Sequence, residues 1–314
     1  MTQLTLSRVL FLLLVVLCVK MSAPIALLSG ILFSFLLGNP FLARTQKAAQ
    51  YLLQASVVGL GAGMNLNVIG QVGLQGIGYT AIGITLTALT GIGLGKVLKT
   101  ETETSVLLTV GTAICGGSAI AAVASTVKAK SQNISVAMAT VFLLNAAALF
   151  IFPGLGHFFN LTETQFGLWS ALAIHDTSSV VGASVQYGPH ALEVATTVKL
   201  ARALWIIPVS LAIGFFWNRR DPAQAAGKIK RPWFILGFLA AAALVTWVPA
   251  LKPTGDLVSQ IAKQGLVLTL FLIGSNVSRS TLRSVGYRPF LQGFCLWVLA
   301  ASTTLAAILI GWVK

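Results

Sequence analysis

Four ionisable residues stand inside apolar stretches long enough to cross a bilayer. His175 and Asp176 lie in Ala173-Ile174-His175-Asp176-Thr177-Ser178-Ser179, and Lys199 and Arg202 lie in the next apolar stretch. Charge at membrane depth is expensive, so each is a functional candidate. Lys199 and Arg202 are three residues apart and share a helix face. Two cations on one face repel unless an anion lies beside them. Arg presents a planar fork to an oxyanion and Lys a point charge, which reads as an anion site. The plainer reading pairs Lys199 with Asp176 or Glu193 and lets Arg202 reach the interface. His175 changes charge near neutral pH and reads either as a proton relay or as a hydrogen-bonded buried imidazole. Asp176 reads as a counter-charge or a coupling group.

A second pattern is Ile114-Cys115-Gly116-Gly117-Ser118-Ala119, in the middle of another apolar run. A glycine pair there loosens the helix at membrane depth. Exposed backbone in hydrocarbon is tolerated only where it lines a cavity or is packed by protein. Broken helices near the midplane are how many secondary transporters build their sites. A restarted half-helix at Cys115, Gly116, Gly117 and Ser118 presents N–H groups and partial positive charge, which suits an anion. The alternative is a close helix-packing site made by small residues. Asn145, Ser275 and Asn276 are further polar residues in apolar runs that would complete a site.

The elements that must position these residues are membrane helices. The 314-residue chain is 56% hydrophobic and 9% charged, with mean hydropathy +0.87. That composition excludes a soluble domain and gives an all-α polytopic membrane protein. The net charge of +14 comes from basic residues in short gaps between apolar runs. Topology and anionic headgroups explain it, and nucleic acid is not expected as a partner. Cys18, Cys115 and Cys295 show no disulfide or metal spacing, and no metal or cofactor is expected. The first apolar stretch, after Arg8, reads as a retained helix and not a cleaved signal, because Lys20 is poorly placed for cleavage.

About eleven spans are expected: 4–20, 24–42, 45–64, 76–97, 104–127, 132–153, 165–187, 191–217, 232–250, 257–277 and 288–313, with 65–75 as a short interfacial helix. The longest polar loop is 218–231. The chain reads as one transporter domain over 1–314. One side of the membrane would hold thirteen basic residues: Arg8, Arg44, Lys47, Lys96, Lys99, Arg219, Arg220, Lys228, Lys230, Arg231, Arg279, Arg283 and Arg288. The other would hold Lys20, Lys128, Lys130, Lys252, Lys263 and Lys314. The positive-inside rule then puts the N-terminus in the cytoplasm. Lys128 and Lys130 dissent, unless the fifth span is a broken helix that does not end in a simple loop.

Two internal similarities appear. Leu60-Gly61-Ala62-Gly63-Met64 with Gly73 matches Ile273-Gly274-Ser275-Asn276-Val277 with Gly286. These lie in the third and tenth spans, which run in opposite directions, as an inverted repeat requires. Ala113-Ile114…Gly117-Ser118 also matches Ala173-Ile174…Thr177-Ser178, but the fifth and seventh spans run parallel in this count. The two similarities therefore do not fit one simple inverted repeat. The second break falls near Gly274-Ser275-Asn276 or near His175-Asp176.

The strings Gly111 to Ala122, Ala173 to Val181 and Ala195 to Arg202, in that order and with Gly61 and Gly274, resemble the signature of a sulfate-exporter family of conserved hypothetical bacterial membrane proteins. The chain departs from that pattern at Ser178-Ser179, where an Ala-Gln-like pair is expected, and at Gly117, where Ala is common. The resemblance implies a fold related to bile-acid:sodium symporters and sodium/proton antiporters, with discontinuous crossing helices packed on a panel domain. The break at Gly116-Gly117-Ser118, followed by Pro153 at the end of the next span, is similar to the crossing region of bile-acid symporters.

The expectation is a secondary transporter of a small anion, sulfate or a related sulfur oxyanion, in the bacterial inner membrane. It is not expected to be an enzyme. Its partners would be the anion, a coupling H⁺ or Na⁺, the lipid bilayer and a second copy of the chain. The alternative is a Na⁺/H⁺-coupled cation antiporter using Asp176, and a third class is a membrane subunit or receptor that moves nothing.

Overall fold

The computed structural model describes residues 3–18, 20–220, 233–277 and 285–313, and among them there is no β-strand. The basic residues Lys228, Lys230, Arg231, Arg279, Arg283 and Lys314, and most of the polar loop 218–231, lie outside the described residues. The chain divides into two compact units, Met1–Gln71 with Trp233–Leu282, and Val72–Pro232 with Arg283–Lys314. Helices are numbered along the chain.

The first unit holds α1 (Gln3–Cys18), α2 (Ala23–Leu37), α3 (Leu42–Gly61), α12 (Trp233–Trp247) and α13 (Lys252–Ser275), the last entered through a 3-10 turn at Pro249–Leu251. Phe11 of α1 meets Phe33, Phe41 and Phe271 at ring separations of 5.4 to 5.6 Å and anchors one cluster. α3 and α13 are antiparallel neighbours. Gly59 lies against Val258 and Ala262, while further back along α3 Ser56 lies against Gly265. Beyond the end of α3, Ala62 lies against Gly255. Gly61 and Gly274, from the first internal similarity, are contact points. A Cβ at Gly61 would strike the Phe238 carbonyl on α12, and one at Gly274 would strike the Leu27 carbonyl on α2. Small residues let main chains approach in this way where no hydrophobic force separates helix from lipid. α13 runs unbroken through Gly274, so the second break is elsewhere.

α4 (Leu66–Val97) is one continuous 32-residue helix. The segment 65–75, read from sequence as a separate interfacial helix, is therefore its first turns. No proline interrupts it.

The second unit continues with α5 (Thr102–Ala113), α6 (Gly117–Val127), α7 (Ser131–Phe158), α8 (Glu163–Ala173), α9 (Thr177–Tyr187), α10 (Pro189–Ala203), α11 (Ile206–Arg220) and α14 (Tyr287–Leu309). The fifth span is discontinuous, as expected, and so is the seventh, one of the two candidates for the second break; each is folded back into a hairpin. In α5–α6 a Cβ at Gly111 would lie 2.9 Å from the Ile120 side chain. At the mouth, Glu103 Oε2 accepts from Lys130 N at 3.0 Å and from Asn133 Nδ2 at 2.9 Å. In α8–α9 the hydroxyls of Ser170 and Ser184 are 3.1 Å apart. At that mouth Glu163 Oε2 accepts from His190 N at 2.7 Å and Ala191 N at 3.1 Å, and Tyr187 Oη donates to Leu161 O at 2.6 Å. Residues thirty positions apart cannot meet in a straight helix, whose rise is about 1.5 Å per residue.

The hairpins are copies of one device. Glu103 and Glu163 both stand in the first turn of the entering helix, sixty positions apart, and both cap the first turn of the next long helix. α7 has 28 residues, so the two mouths sit at its opposite ends. Each half-helix of 11 or 12 residues is about 16–18 Å long, roughly half a hydrocarbon core. The hairpins therefore enter from opposite ends and meet at mid-depth. This orientation removes the parallel-span conflict. α10 and α11 form one apolar span, Pro189–Trp217, interrupted at Leu204–Trp205. Pro208 explains the interruption, since its ring clashes with the carbonyl four residues back, that of Leu204.

The described part of this unit is electrically lopsided. Lys130 Nζ is 3.5 Å from Glu101 Oε1. Gln292 Nε2 donates to Gly91 O at 3.0 Å and Ser105 Oγ at 2.8 Å. Gly214 faces Thr126. These contacts gather Lys96, Lys99, Lys128, Lys130, Arg219, Arg220 and Arg288 at one end. The other end carries His157, Glu163, His190 and Glu193.

Candidate functional site

The site is where the two hairpin tips meet. The first tip, Ile114-Cys115-Gly116, links α5 to α6; the second, Ile174-His175-Asp176, links α8 to α9. All six residues are buried. A Cβ at Gly116 would lie 3.4 Å from Asp176 N, Cα and Cβ, so the tips abut. Gly116 has φ +66° and ψ −128°, a conformation that favours glycine, and this is what lets the chain reverse there. Asn145 stands at the middle of α7, and its Oδ1 accepts from His175 N at 3.1 Å and Asp176 N at 3.4 Å. It pins the second tip to mid-depth.

Each hairpin turns two helix ends toward this point. The C-terminal ends of α5 and α8 carry partial negative charge, and the N-terminal ends of α6 and α9 carry partial positive charge. The carbonyl ends are covered by α10. Arg202 donates through Nε to Ala113 O at 2.8 Å and through Nη2 to Thr112 O at 3.1 Å. Its Nη1 donates to Leu172 O at 2.5 Å and Ala171 O at 3.3 Å. Lys199 Nζ donates to Ile174 O at 2.6 Å and Ala171 O at 3.3 Å. Lys199 is 0% and Arg202 2% exposed. The rigid fork of Arg202 thus holds both hairpins together, a geometry an ammonium group does not have. Arg202 is buried rather than snorkelling, and Glu193 pairs with His190 at 3.4 Å rather than with Lys199.

The amide ends differ. α9 is capped by its own chain: Asp176 Oδ2 accepts from Ser178 N at 3.1 Å and from the Ser178 hydroxyl. α6 has Gly116 at the same position and no side-chain cap. Ser118 is exposed, whereas Ser178 is buried. Several buried polar atoms on these elements lack partners: Thr112 Oγ1, Asn145 Nδ2, both ring nitrogens of His175, Thr196 Oγ1 and Thr197 Oγ1. Orphaned groups of this kind call for water, an ion or a ligand.

Cys115, Gly116, Gly117, Ser118, His175, Asp176, Lys199 and Arg202 therefore share one site in the second unit. Ser275 and Asn276 belong to the first unit. There, Asn39 Nδ2 donates to Ser275 O at 3.1 Å and Asn276 Oδ1 at 3.1 Å, and Thr45 Oγ1 donates to Asn276 Oδ1 at 2.6 Å. That network joins α3 to the end of α13. Asn39 and Thr45 were not singled out from sequence, because they fall beside a polar gap where such residues are ordinary.

The profile of the family described as conserved hypothetical protein 698 matches residues 9–293, which include both hairpins and α10. A UPF0324 membrane protein of Bdellovibrio bacteriovorus is 62% identical over 293 residues, covering 93% of this chain and 90% of that protein. Another of Geobacter sulfurreducens is 50% identical over 287 residues, covering 91% of each. One of Bacteroides thetaiotaomicron is 47% identical, covering 91% of this chain and 86% of its own length. No solved structure matches the chain.

Proposed function

We propose that this chain, which belongs to the conserved hypothetical protein 698 family, is a secondary transporter of a small oxyanion. One observation carries the reading. Two hairpins meet tip to tip at mid-depth, their carbonyl ends are neutralised by Arg202 and Lys199, and the amide end of α6 is left without a side-chain cap. The field remaining at the tips favours negative charge. Lys199 and Arg202 act in this reading as positioning residues, because their donors go to the main chain. Gly117 and Ser118 bind the anion, and His175 and Asp176 hold the coupling H⁺ or Na⁺ that offsets its charge.

Sulfate or a related sulfur oxyanion is the first candidate, on the resemblance carried by Gly111 to Ala122. The basic end of the second unit faces the cytoplasm of a bacterial inner membrane, following the positive-inside rule. Labelled sulfate uptake by proteoliposomes, with pH and Na⁺ gradients set independently, tests the proposal. Flux that requires the protein and responds to one gradient supports it. A second reading rests on Asp176, the one buried carboxylate among the described residues. In that reading the chain exchanges Na⁺ for H⁺. A Na⁺-dependent proton signal abolished by Asp176→Asn, with no oxyanion flux, would assign the second reading instead.

A further inference from the structure

We infer that the anion binds at the first turn of α6, on the Gly117 and Ser118 amides and the Ser118 hydroxyl, in the place where the other hairpin carries the carboxylate of Asp176. The inference rests on the oxyanion-transport reading and gives that site its ligand atoms. The hairpins correspond residue by residue at the tip: Ile114 with Ile174, Gly116 with Asp176, Gly117 with Thr177 and Ser118 with Ser178. In the second hairpin one carboxylate oxygen takes the Ser178 amide at 3.1 Å and the Ser178 hydroxyl as well. The molecule thus shows which group satisfies this turn: a negatively charged oxygen.

The first hairpin presents the same donors and no oxygen. Ser118 supplies the amide and the hydroxyl. The Ala119 amide faces the Cys115 sulfur, and the Ile120 amide already donates to Gly116 O at 3.1 Å. The amides of Gly117 and Ser118 belong to the orphan first turn of an 11-residue helix. The chain cannot supply its own carboxylate at this point, because position 116 has φ +66° and a side chain there would be strained.

A second observation is independent of the helix end. Asn145 is 2% exposed, and its Nδ2 has no partner although its Oδ1 is fully engaged by the second tip. Asn145 shares a face of α7 with Met138 and Phe142, and these two side chains are the ones that meet Gly117. A buried amide donor therefore stands unpaired on the helix face that packs the first turn of α6. Ser118 is the accessible member of the pair of equivalent serines. Together these donors fit a carboxylate or tetrahedral oxyanion that offers oxygens to α6 and to Asn145.

The test uses the full chain in lipid nanodiscs, with sodium sulfate against sodium chloride at matched ionic strength, read as thermal unfolding. Sulfate is expected to raise the midpoint in a concentration-dependent manner, since a ligand of the folded state stabilises it. Ser118→Ala is expected to weaken the apparent affinity roughly tenfold or more, the effect of losing a hydrogen bond to a charged group. Ser118→Asp is expected to raise the ligand-free midpoint, because a carboxylate in the first turn suits the helix, and to abolish the sulfate response. Ser178→Ala, in the self-capped hairpin, is expected to lower the ligand-free midpoint and keep the response. Parental sulfate responses in both Ser118 variants would overturn the placement, and the transport reading would then stand or fall on its own flux measurement. An equal response to chloride would overturn the oxyanion class.

Discussion

Arg202 reaches main-chain carbonyls on two hairpins, from Thr112 and Ala113 on one to Ala171 and Leu172 on the other. Removing it takes the side-chain donor from the Thr112, Ala113 and Leu172 oxygens, leaves Ala171 O to Lys199 alone, and sets two like helix ends facing each other. An unsatisfied buried polar group costs about 1–3 kcal/mol, so Arg202→Ala is expected to destabilise the protein by roughly 3 kcal/mol or more. Arg202→Lys should recover only part of this, because a single ammonium does not fork between two hairpins. Thermal unfolding in one detergent measures both, and a parental midpoint for Arg202→Ala would show that the fork holds nothing together. The burial of Asp176, Lys199 and Arg202 was legible in the sequence, because each is an ionisable residue in an apolar run. Their task was not. Lys199 and Arg202 three residues apart look like an anion receptor, until the ends of α5 and α8 are seen pointing carbonyls at them. Sequence shows a charge; only the fold shows which dipole it faces.

The hairpins are the elements on which this depends, and they also mark where hydropathy misleads. Residues 104–127 and 165–187 each have the apolar length of one crossing. Two half-helices of 12 and 11 residues have the same length as one through-helix, and a hydropathy window measures length, not path. The first break was visible as a glycine pair, while the second was one of two candidates, His175-Asp176 or Gly274-Ser275-Asn276, between which the sequence did not choose. The similarity of Ala113 to Ser118 with Ala173 to Ser178 was visible too, and Lys128 with Lys130 on the apparent wrong side was the remaining clue to direction. Doubling back makes a sharp expectation. In a background without Cys18, Cys115 and Cys295, Glu101→Cys with Lys130→Cys should be joined by a short bifunctional thiol reagent, because the side chains they replace meet at 3.5 Å. A straight helix would part them by roughly 40 Å. Glu101→Cys with His190→Cys, at the mouths of different hairpins, should not cross-link. The reverse pattern would mean that α5 and α6 pass through the membrane in line.

At the scale of the whole chain, the hairpins change the charge balance across the membrane. Counted as through-spans, they leave thirteen basic residues on one side and six on the other, with Lys128 and Lys130 among the six. Counted as hairpins, they return both lysines to the side of Lys96 and Lys99, giving fifteen against four. The contacts of the second unit agree, since Lys130 sits beside Glu101 and Gly214 beside Thr126. Apart from Lys199 and Arg202, which are buried at the hairpin tips, the described lysines and arginines of that unit gather at one end, as the positive-inside rule requires. Alkaline phosphatase, active only outside the inner membrane, reads this directly when fused after Lys99, Lys130, Asn160 and Gly188. Lys99 and Lys130 flank the first hairpin, so both fusions are expected to be inactive. Asn160 and Gly188 flank the second, so both are expected to be active. Activity after Lys130 with none after Lys99 would carry α5 and α6 across the membrane, place the two tips at parallel breaks, and remove the equivalence between Ser118 and Ser178 on which the anion site depends.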